Sequence, residues 1–551
     1  MKLKSFVLTL ASGSGIQALS SEQSPLVIDT TYGSVQGASS EYRPGVTVYK
    51  GIPFAAPPIG ANRWKPPQAP STWSGVFNAT TFGPQCAQST GGAAGIFSTG
   101  SSVASEDCLT LNVWTPAYND TSKITSKQLP VYVWIFGGRF AGGSADVKTY
   151  DGSGLATKDI IVVTLNYRLG AFGFLAHPDL SAESAHNSSG NYGLLDQQFA
   201  LRWVHKNIAN FGGNPNQVTV GGQSAGSASA LDTMYSPLTK GLVHGVIAES
   251  GARGPHDPLT GSLATSYRTK EAAEAGGVSF LKDLNVSSIA QLRAMPKDTL
   301  VNAGMTSDTT FEGTRFENVT WAFQNPPLWR PVIDGYVLTH GHGEALSLSD
   351  HLDVPILTGN NKDESGASPD GDVTVSEYTE VYRQMFQNMS AEFLALYPAD
   401  NDTQATNNSN AFFRDMSRVS TWTWASDWAA GGATSDVFVY FWTRTPAENP
   451  AGGAYHGSEL WYTFNNIPYA NYDSATWSAE DYQVEETMSE YWANFIRTGN
   501  PNGGNLTAFQ PSTSASRQVT FLGNTWGAAG LTDSTAKFNF IQKFFSTLKE
   551  Y

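Results

Sequence analysis

One serine of this chain stands where its hydroxyl can be made nucleophilic. The β-branched run Val218-Thr219-Val220 leads into Gly221-Gly222-Gln223-Ser224-Ala225-Gly226, and small residues able to open a helix follow. The G-x-S-x-G spacing predicts a strained strand-to-helix turn, in which side chains two residues either side of Ser224 would clash. Such a turn exposes Oγ and sets the Ala225 N–H beside a reacting carbonyl. A neutral hydroxyl needs a base, and the base needs an acid to orient it. Of the nine histidines, His456 is best placed, in the glycine-rich loop Gly452-Gly453-Ala454-Tyr455-His456-Gly457-Ser458-Glu459. His340 and His342 lack a carboxylate or cysteine at useful ligand spacing and read as a polar loop, not a metal site. His177, beside Pro178, reads as a turn. For the acid, Asp363 and Glu364 both follow a short apolar run, and position alone does not choose between them.

Those residues need a scaffold. Val131 to Phe136, Ile160 to Leu165, Val218 to Val220, Val246 to Ala248, Val354 to Leu357 and Val437 to Trp442 read as buried strands, because near-continuous apolar runs imply cover on both faces. Leu195, Phe199, Trp203, Val204 and Ile208 recur at helical spacing, with Gly212-Gly213 as the stop. Strand–helix–strand order predicts an α/β fold with a mostly parallel sheet. Val27 to Gly37 and Val46 to Tyr49 read as strands at a sheet edge, and Phe538 to Leu548 as a terminal helix.

Composition bounds the function. In 551 residues the net charge is −15, hydrophobic residues are 40% and charged residues only 15%. An average soluble domain carries about 25% charged residues. Few charges and many aromatics are the opposite of a disordered chain. The acidic balance argues against nucleic acid as a partner. No apolar run reaches membrane-spanning length. Length alone suggests about three or four domains. Residues 1–20 resemble a signal peptide: Met1-Lys2-Leu3-Lys4, an apolar stretch from Phe6 to Ala11, then Ala18-Leu19-Ser20. Nine N-x-S/T sequons, at Asn78, Asn119, Asn187, Asn285, Asn318, Asn388, Asn401, Asn407 and Asn505, add to the case for secretion. Cys86 and Cys108 are the two cysteines. Free thiols, a metal pair and a disulfide are all open to them; two thiols alone make a poor metal site, and secretion favours the disulfide. Closing that loop would stabilise by roughly 3 kcal/mol in the chain-entropy account.

The chain resembles the type-B carboxylesterase, cholinesterase and fungal lipase family of α/β-hydrolases. Phe211 to Gly226 resembles its nucleophile signature and Glu106 to Trp114 its second signature. Gly51-Ile52-Pro53-Phe54-Ala55, Asn166-Tyr167-Arg168-Leu169-Gly170, Gly193 to Gln197, Pro331 to Gly335 and Trp492 to Phe495 match in the expected order. The resemblance runs from about residue 27 to 545. It implies Ser224 as nucleophile, His456 as base and Glu364 as acid, with Ser365 where the family's Asp-Glu-Gly has glycine. It implies Ser250 as a serine supporting the acid, Gln223 beside the nucleophile, and Cys86–Cys108 as the family's first disulfide; the later pair is absent. The oxyanion loop is of the His-Gly-Gly-Gly type but reads Phe136-Gly137-Gly138-Arg139-Phe140, so the N–H groups of Gly138, Arg139 and Ala225 would bind the oxyanion. Arg139 departs from the family's glycine or alanine. Its side chain either points to solvent or a loop carboxylate, or lines the pocket mouth and favours acidic or polar substrates.

Family motifs from both ends must meet at one site, so 21–551 is expected to be a single domain. The expected substrate is a small ester, with no cofactor and no metal, and the protein a monomer or homodimer. Choline esters are disfavoured: the loop from Cys86 to Cys108 has Phe97 as its one aromatic, and position 223 is Gln where cation binders have Glu. Ile96-Phe97 is that loop's one bulky pair, too little apolar face for a lipid-surface lid. Short- to medium-chain or aromatic soluble esters are therefore expected, with a triacylglycerol or sterol-ester lipase as the alternative. A non-catalytic adhesion protein on this fold is the alternative of another class, disfavoured because serine and histidine are both present.

Overall fold

The computed structural model describes residues 27–89, 95–100, 103–118, 124–263, 265–470 and 476–551. Its centre is an eleven-stranded sheet. The strands are β1 (Ala38–Ser39), β2 (Val46–Pro53), β3 (Thr110–Pro116), β4 (Leu129–Ile135), β5 (Ile161–Leu165) and β6 (Gly213–Gln223). They continue as β7 (Gly245–Glu249), β8 (Ile356–Asn361), β9 (Val437–Trp442), β10 (Gln518–Leu522) and β11 (Gly527–Gly530). The order is β11-β10-β9-β8-β7-β6-β4-β5-β3-β2-β1. Every neighbouring pair from β5 to β10 is parallel. The edges are antiparallel. This is an α/β-hydrolase sheet, and every residue of β5, β7, β8 and β9 is buried.

Helices give that cover. α1 is Tyr192–Asn207, α2 Ala225–Tyr235, α3 Asp402–Ala430, α4 Ala479–Thr498 and α5 Thr535–Phe545. α2 packs on β6 and β7, α4 on β4 and β6, α3 on β8 and β9, and α5 on α3. α1 stops at Asn207, one turn of 3-10 helix follows, and Gly212 closes it at φ 91°, the left-handed stop its glycine predicts. α5 starts at Thr535, earlier than its apolar spacing suggests, because the Ser534 side chain caps the Lys537 N–H.

One edge differs from expectation. Val27–Thr30 and Gly33–Gln36 leave the main sheet and form a separate three-stranded sheet with Val76–Asn78. A single-sequence pattern shows that a strand exists but not which edge it joins. Cys86 and Cys108 are disulfide-bonded. Among the described residues no helix is long and apolar enough to cross a membrane. Asn78, Asn187, Asn285, Asn318, Asn388, Asn401, Asn407 and Asn505 are all exposed. Asn119 and the leader-like residues 1–20 lie outside the described residues.

The chain switches direction between β4 and β6: β5 adds to one side of β4, and β7, β8 and β9 add successively beyond β6. In open α/β sheets, ligands sit beyond the carboxyl ends of strands at such a point. The predicted functional residues lie there: Gly138 and Arg139 after β4, Ser224 after β6, Glu364 after β8 and His456 on the loop after β9.

Candidate active site

Ser224 occupies the cap between β6 and α2 at φ 61°, ψ −123°. That is a strained backbone for a non-glycine residue. The fold holds it there: its N–H donates to the Glu249 carbonyl at 2.9 Å. A Cβ on Gly222 would lie 2.2 Å from the Gly226 carbonyl oxygen, and one on Gly226 would lie 2.0 Å from that of Ile135. Both glycines are there because main chain fills the space a methyl group needs.

The loop after β4 leans on this turn. A Cβ on Gly137 would lie 2.4 Å from the Gln223 carbonyl oxygen. Gly138, Arg139 and Phe140 follow with φ of 108°, 57° and 59°, three successive left-handed residues. That path is anchored by Tyr167, whose hydroxyl donates to the Phe136 carbonyl at 2.9 Å, and by the Gly170 N–H, which donates to the Phe140 carbonyl at 2.7 Å. The N–H groups of Gly138, Arg139 and Ala225 donate to no described residue. A concave set of free N–H donors beside a serine suits a developing oxyanion.

Between the two neighbouring acids, geometry separates the roles. Glu364 Oε2 lies 2.5 Å from His456 Nδ1, and its Oε1 accepts the Asn361 N–H at 2.9 Å. Asp363 is turned away, taken by Arg414 and by the Ala454 N–H. Burial pushes the His456 imidazolium down, but the hydrogen bond and charge of Glu364, with Glu459 behind it, outweigh that and hold its pKa above the ordinary 6.5.

His456 Nε2 faces the nucleophile turn. With Nδ1–H given to Glu364, Nε2 is an acceptor, and the Gln223 amide N–H donates to it at 3.0 Å. Ser224 Oγ makes no hydrogen bond to a described residue. In a free enzyme that contact is commonly open and tightens with substrate. Ser250 lines the same cavity, but its Oγ is buried without a partner. The support expected from it is supplied by Asn361, which sequence reasoning missed. Asn361 bonds Glu364 through its N–H, and its side-chain amide donates to the Tyr455 carbonyl at 2.7 Å and to Glu459. One residue at the end of β8 thus ties the acid to the histidine loop. Its only sequence signal is its place three residues before Glu364.

Two further carboxyls lie behind the site. Glu249 accepts the Trp492 indole N–H at 2.9 Å; burial raises its pKa well above the usual range, and the Glu459 charge adds to this. Burial pushes Glu459 up to about 7, opposed by the Asn361 hydrogen bond and reinforced by Glu364. The pair of histidines read as a polar loop is bound more firmly than its spacing suggested. His342 is buried in the helix His342–Leu348, 3.1 Å from Asp232. His340 lies 3.2 Å from Glu344 and 3.3 Å from Asp350. These carboxylates come from a helical turn and from other elements, which linear spacing does not reveal.

A cavity of about 910 Å³ opens over Ser224 and His456. Its wall includes Phe172, Leu169, Val301, Met305, Trp329 and Arg139. Ile96 is buried and Phe97 half-buried; both press on Gly457, where a Cβ would lie 2.6 Å from the Phe97 ring. That bulky pair therefore packs on the histidine loop.

Comparison with known proteins shows the family. The model of the Carboxylesterase family matches residues 24–540. The fumonisin B1 esterase of Sphingopyxis macrogoltabida is 32% identical over 528 residues, 94% of this chain and 91% of that protein. The para-nitrobenzyl esterase of Bacillus subtilis (strain 168) is 33% identical over 487 residues, covering 86% and 90%. A solved PNB esterase structure superposes with a TM-score of 0.71 at 30% identity, covering 94% of this chain and 99% of that one. The chain belongs to the carboxylesterase family and is a serine carboxylic-ester hydrolase.

Proposed function

We propose that the protein hydrolyses small soluble esters through an acyl-enzyme on Ser224. The observation that carries this is the Glu364–His456 contact of 2.5 Å, directed at the turn that presents Ser224. His456 Nε2 takes the Oγ proton as Oγ attacks the ester carbonyl, and Glu364 holds the imidazole and stabilises its charged form. The N–H groups of Gly138, Arg139 and Ala225 receive the oxyanion. The alcohol leaves with the proton from His456, and water, deprotonated by the same nitrogen, releases the acid. Gln223 gives up its hold on Nε2 when substrate brings Oγ and imidazole together.

Two features favour soluble over interfacial substrates. Ile96 and Phe97 pack on Gly457, with Phe97 also on the cavity wall, and the sequence of the Cys86–Cys108 loop holds no other bulky apolar pair. The leader-like N-terminus, the disulfide and eight exposed sequons support a secreted, glycosylated protein, with 21–551 acting as one domain. The test is a panel of p-nitrophenyl esters of increasing acyl length, run with an organophosphonate label. Stoichiometric labelling of Ser224, lost in Ser224→Ala together with hydrolysis, is expected. Activity on long-chain emulsions that jumps above their solubility limit would instead mark a lipase.

A further inference from the structure

The charged side chains on the described cavity wall are three carboxylates, Asp363, Glu364 and Asp370, and one guanidinium, Arg139. Asp363 is satisfied by Arg414, and Glu364 by His456. Asp370 stands exposed at the rim and accepts the Ser368 hydroxyl. Arg139 differs. Its Nη2 donates to the Asn325 carbonyl at 3.3 Å, and no described carboxylate lies within ion-pair distance of it.

Its surroundings add positive charge. Arg139 is close enough to Arg330 to disfavour that residue's charge. Arg330 and Arg268 share a single carboxylate, Asp308, at 2.7 and 3.4 Å. Arg330, Arg268 and Asp308 line a second cavity and carry one positive charge in excess, in a chain whose net charge is −15. Arg139 itself is exposed, within reach of a ligand entering the cavity. A guanidinium with N–H donors that no described residue uses is suited to bidentate pairing with a carboxylate.

We propose that this esterase prefers esters carrying a second, ionised carboxylate, which pairs with the Arg139 side chain while the ester carbonyl lies against the neighbouring oxyanion N–H groups. The inference rests on the reading of Ser224 as nucleophile and deepens it by naming the substrate class. Arg139 then serves twice: its main chain binds the reacting oxygen, and its side chain selects what is attached.

The test compares kcat/KM on p-nitrophenyl hemiglutarate, an anionic ester, with that on the neutral p-nitrophenyl pentanoate. The ratio of the two within each enzyme cancels any general effect on the oxyanion loop. Arg139→Gln is expected to lower the anionic-to-neutral ratio about tenfold or more, and Arg139→Lys to keep part of it. Arg139→Glu is expected to lower it furthest. A ratio unchanged within about twofold in a folded Arg139→Gln protein overturns the proposal. Wild-type enzyme gives a second reading should the variants not fold. Glutarate is expected to slow phosphonate labelling of Ser224 at concentrations where neutral glutaramide does not, and equal protection by the two overturns the proposal. If neither ester is hydrolysed and Ser224 does not label, the underlying reading falls and the proposal with it. Hydrolysis of both esters with equal ratios in wild type and variant overturns the proposal alone.

Discussion

A methyl group added at Gly222 or Gly226 would sit 2.2 or 2.0 Å from a backbone carbonyl oxygen, whereas one added at Gly142, in the cavity wall, meets only the end of the Gln88 side chain at 3.1 Å. The serine turn is hemmed in by main chain from β4, β6 and α2. The wall is made of side-chain ends and loops, such as the segment carrying Met305, Pro327 and Trp329. Main chain cannot step aside without moving the sheet, while side chains can change rotamer. Chemistry is therefore held where the fold is least forgiving, and recognition where it is most adaptable.

The sharpest way to break that contrast is Gly226→Ala. The new Cβ has nowhere to go, so the variant is expected to lose folded protein or about 3 kcal/mol of stability, with esterase activity lost in either case. Thermal melting and kcat/KM read this together, and a well-folded, active variant would remove the distinction. Next is Glu364→Gln, which leaves the geometry but removes the charge that orients His456. A loss of about 10⁴-fold in kcat is expected, by the logic of an acid-to-amide change in a triad. Glu364 also raises the His456 pKa, so the acid limb of the residual kcat/KM profile moves to lower pH in the variant. In wild type that limb is expected above 6.5, because the proposed base, His456, acts only when neutral.

Smaller effects come from behind the turn. Glu459 has a folded pKa of about 7 against an ordinary 4.5. A raised carboxyl binds its proton more tightly in the folded state, so its contribution to stability is full below 4.5 and falls as pH rises to about 7. The loss over that window is on the order of 2 kcal/mol. Glu459→Gln keeps an acceptor for Asn361 and removes the titration. Its denaturation midpoint is expected to lose that slope while wild type keeps it. The smallest effect is in the wall: Gly142→Ala needs only Gln88 to give way, so a change below about threefold in kcat/KM is expected.

The parts of this molecule legible in the sequence are those set by short-range rules. The Ser224 turn was readable because two glycines and a β-branched strand at fixed offsets leave few conformations open. The six buried strands were readable because cover on both faces demands unbroken apolar runs. The choice of Glu364 over Asp363 was not readable from position, since adjacent residues differ only in where each side chain points, and it came from resemblance to a family. Asn361 escaped notice because its role joins the end of β8 to a loop after β9, which no local pattern links. The small sheet of Val27–Thr30, Gly33–Gln36 and Val76–Asn78 escaped for the same reason.

Arg139 shows where that boundary lies. Its departure from the family's glycine or alanine is written in the sequence, and so is the N–H it brings to the oxyanion loop. Whether its side chain would find a loop carboxylate or stand unpaired at the cavity mouth depended on elements more than a hundred residues away: Asn325, Arg330 and Asp308. By itself, the sequence determined the turn that carries Ser224 and the buried strands, because local sterics and apolar periodicity act over a few residues. Only the tertiary structure decided which charges are neutralised and which are left over, because electrostatic pairing is a property of space and not of the chain.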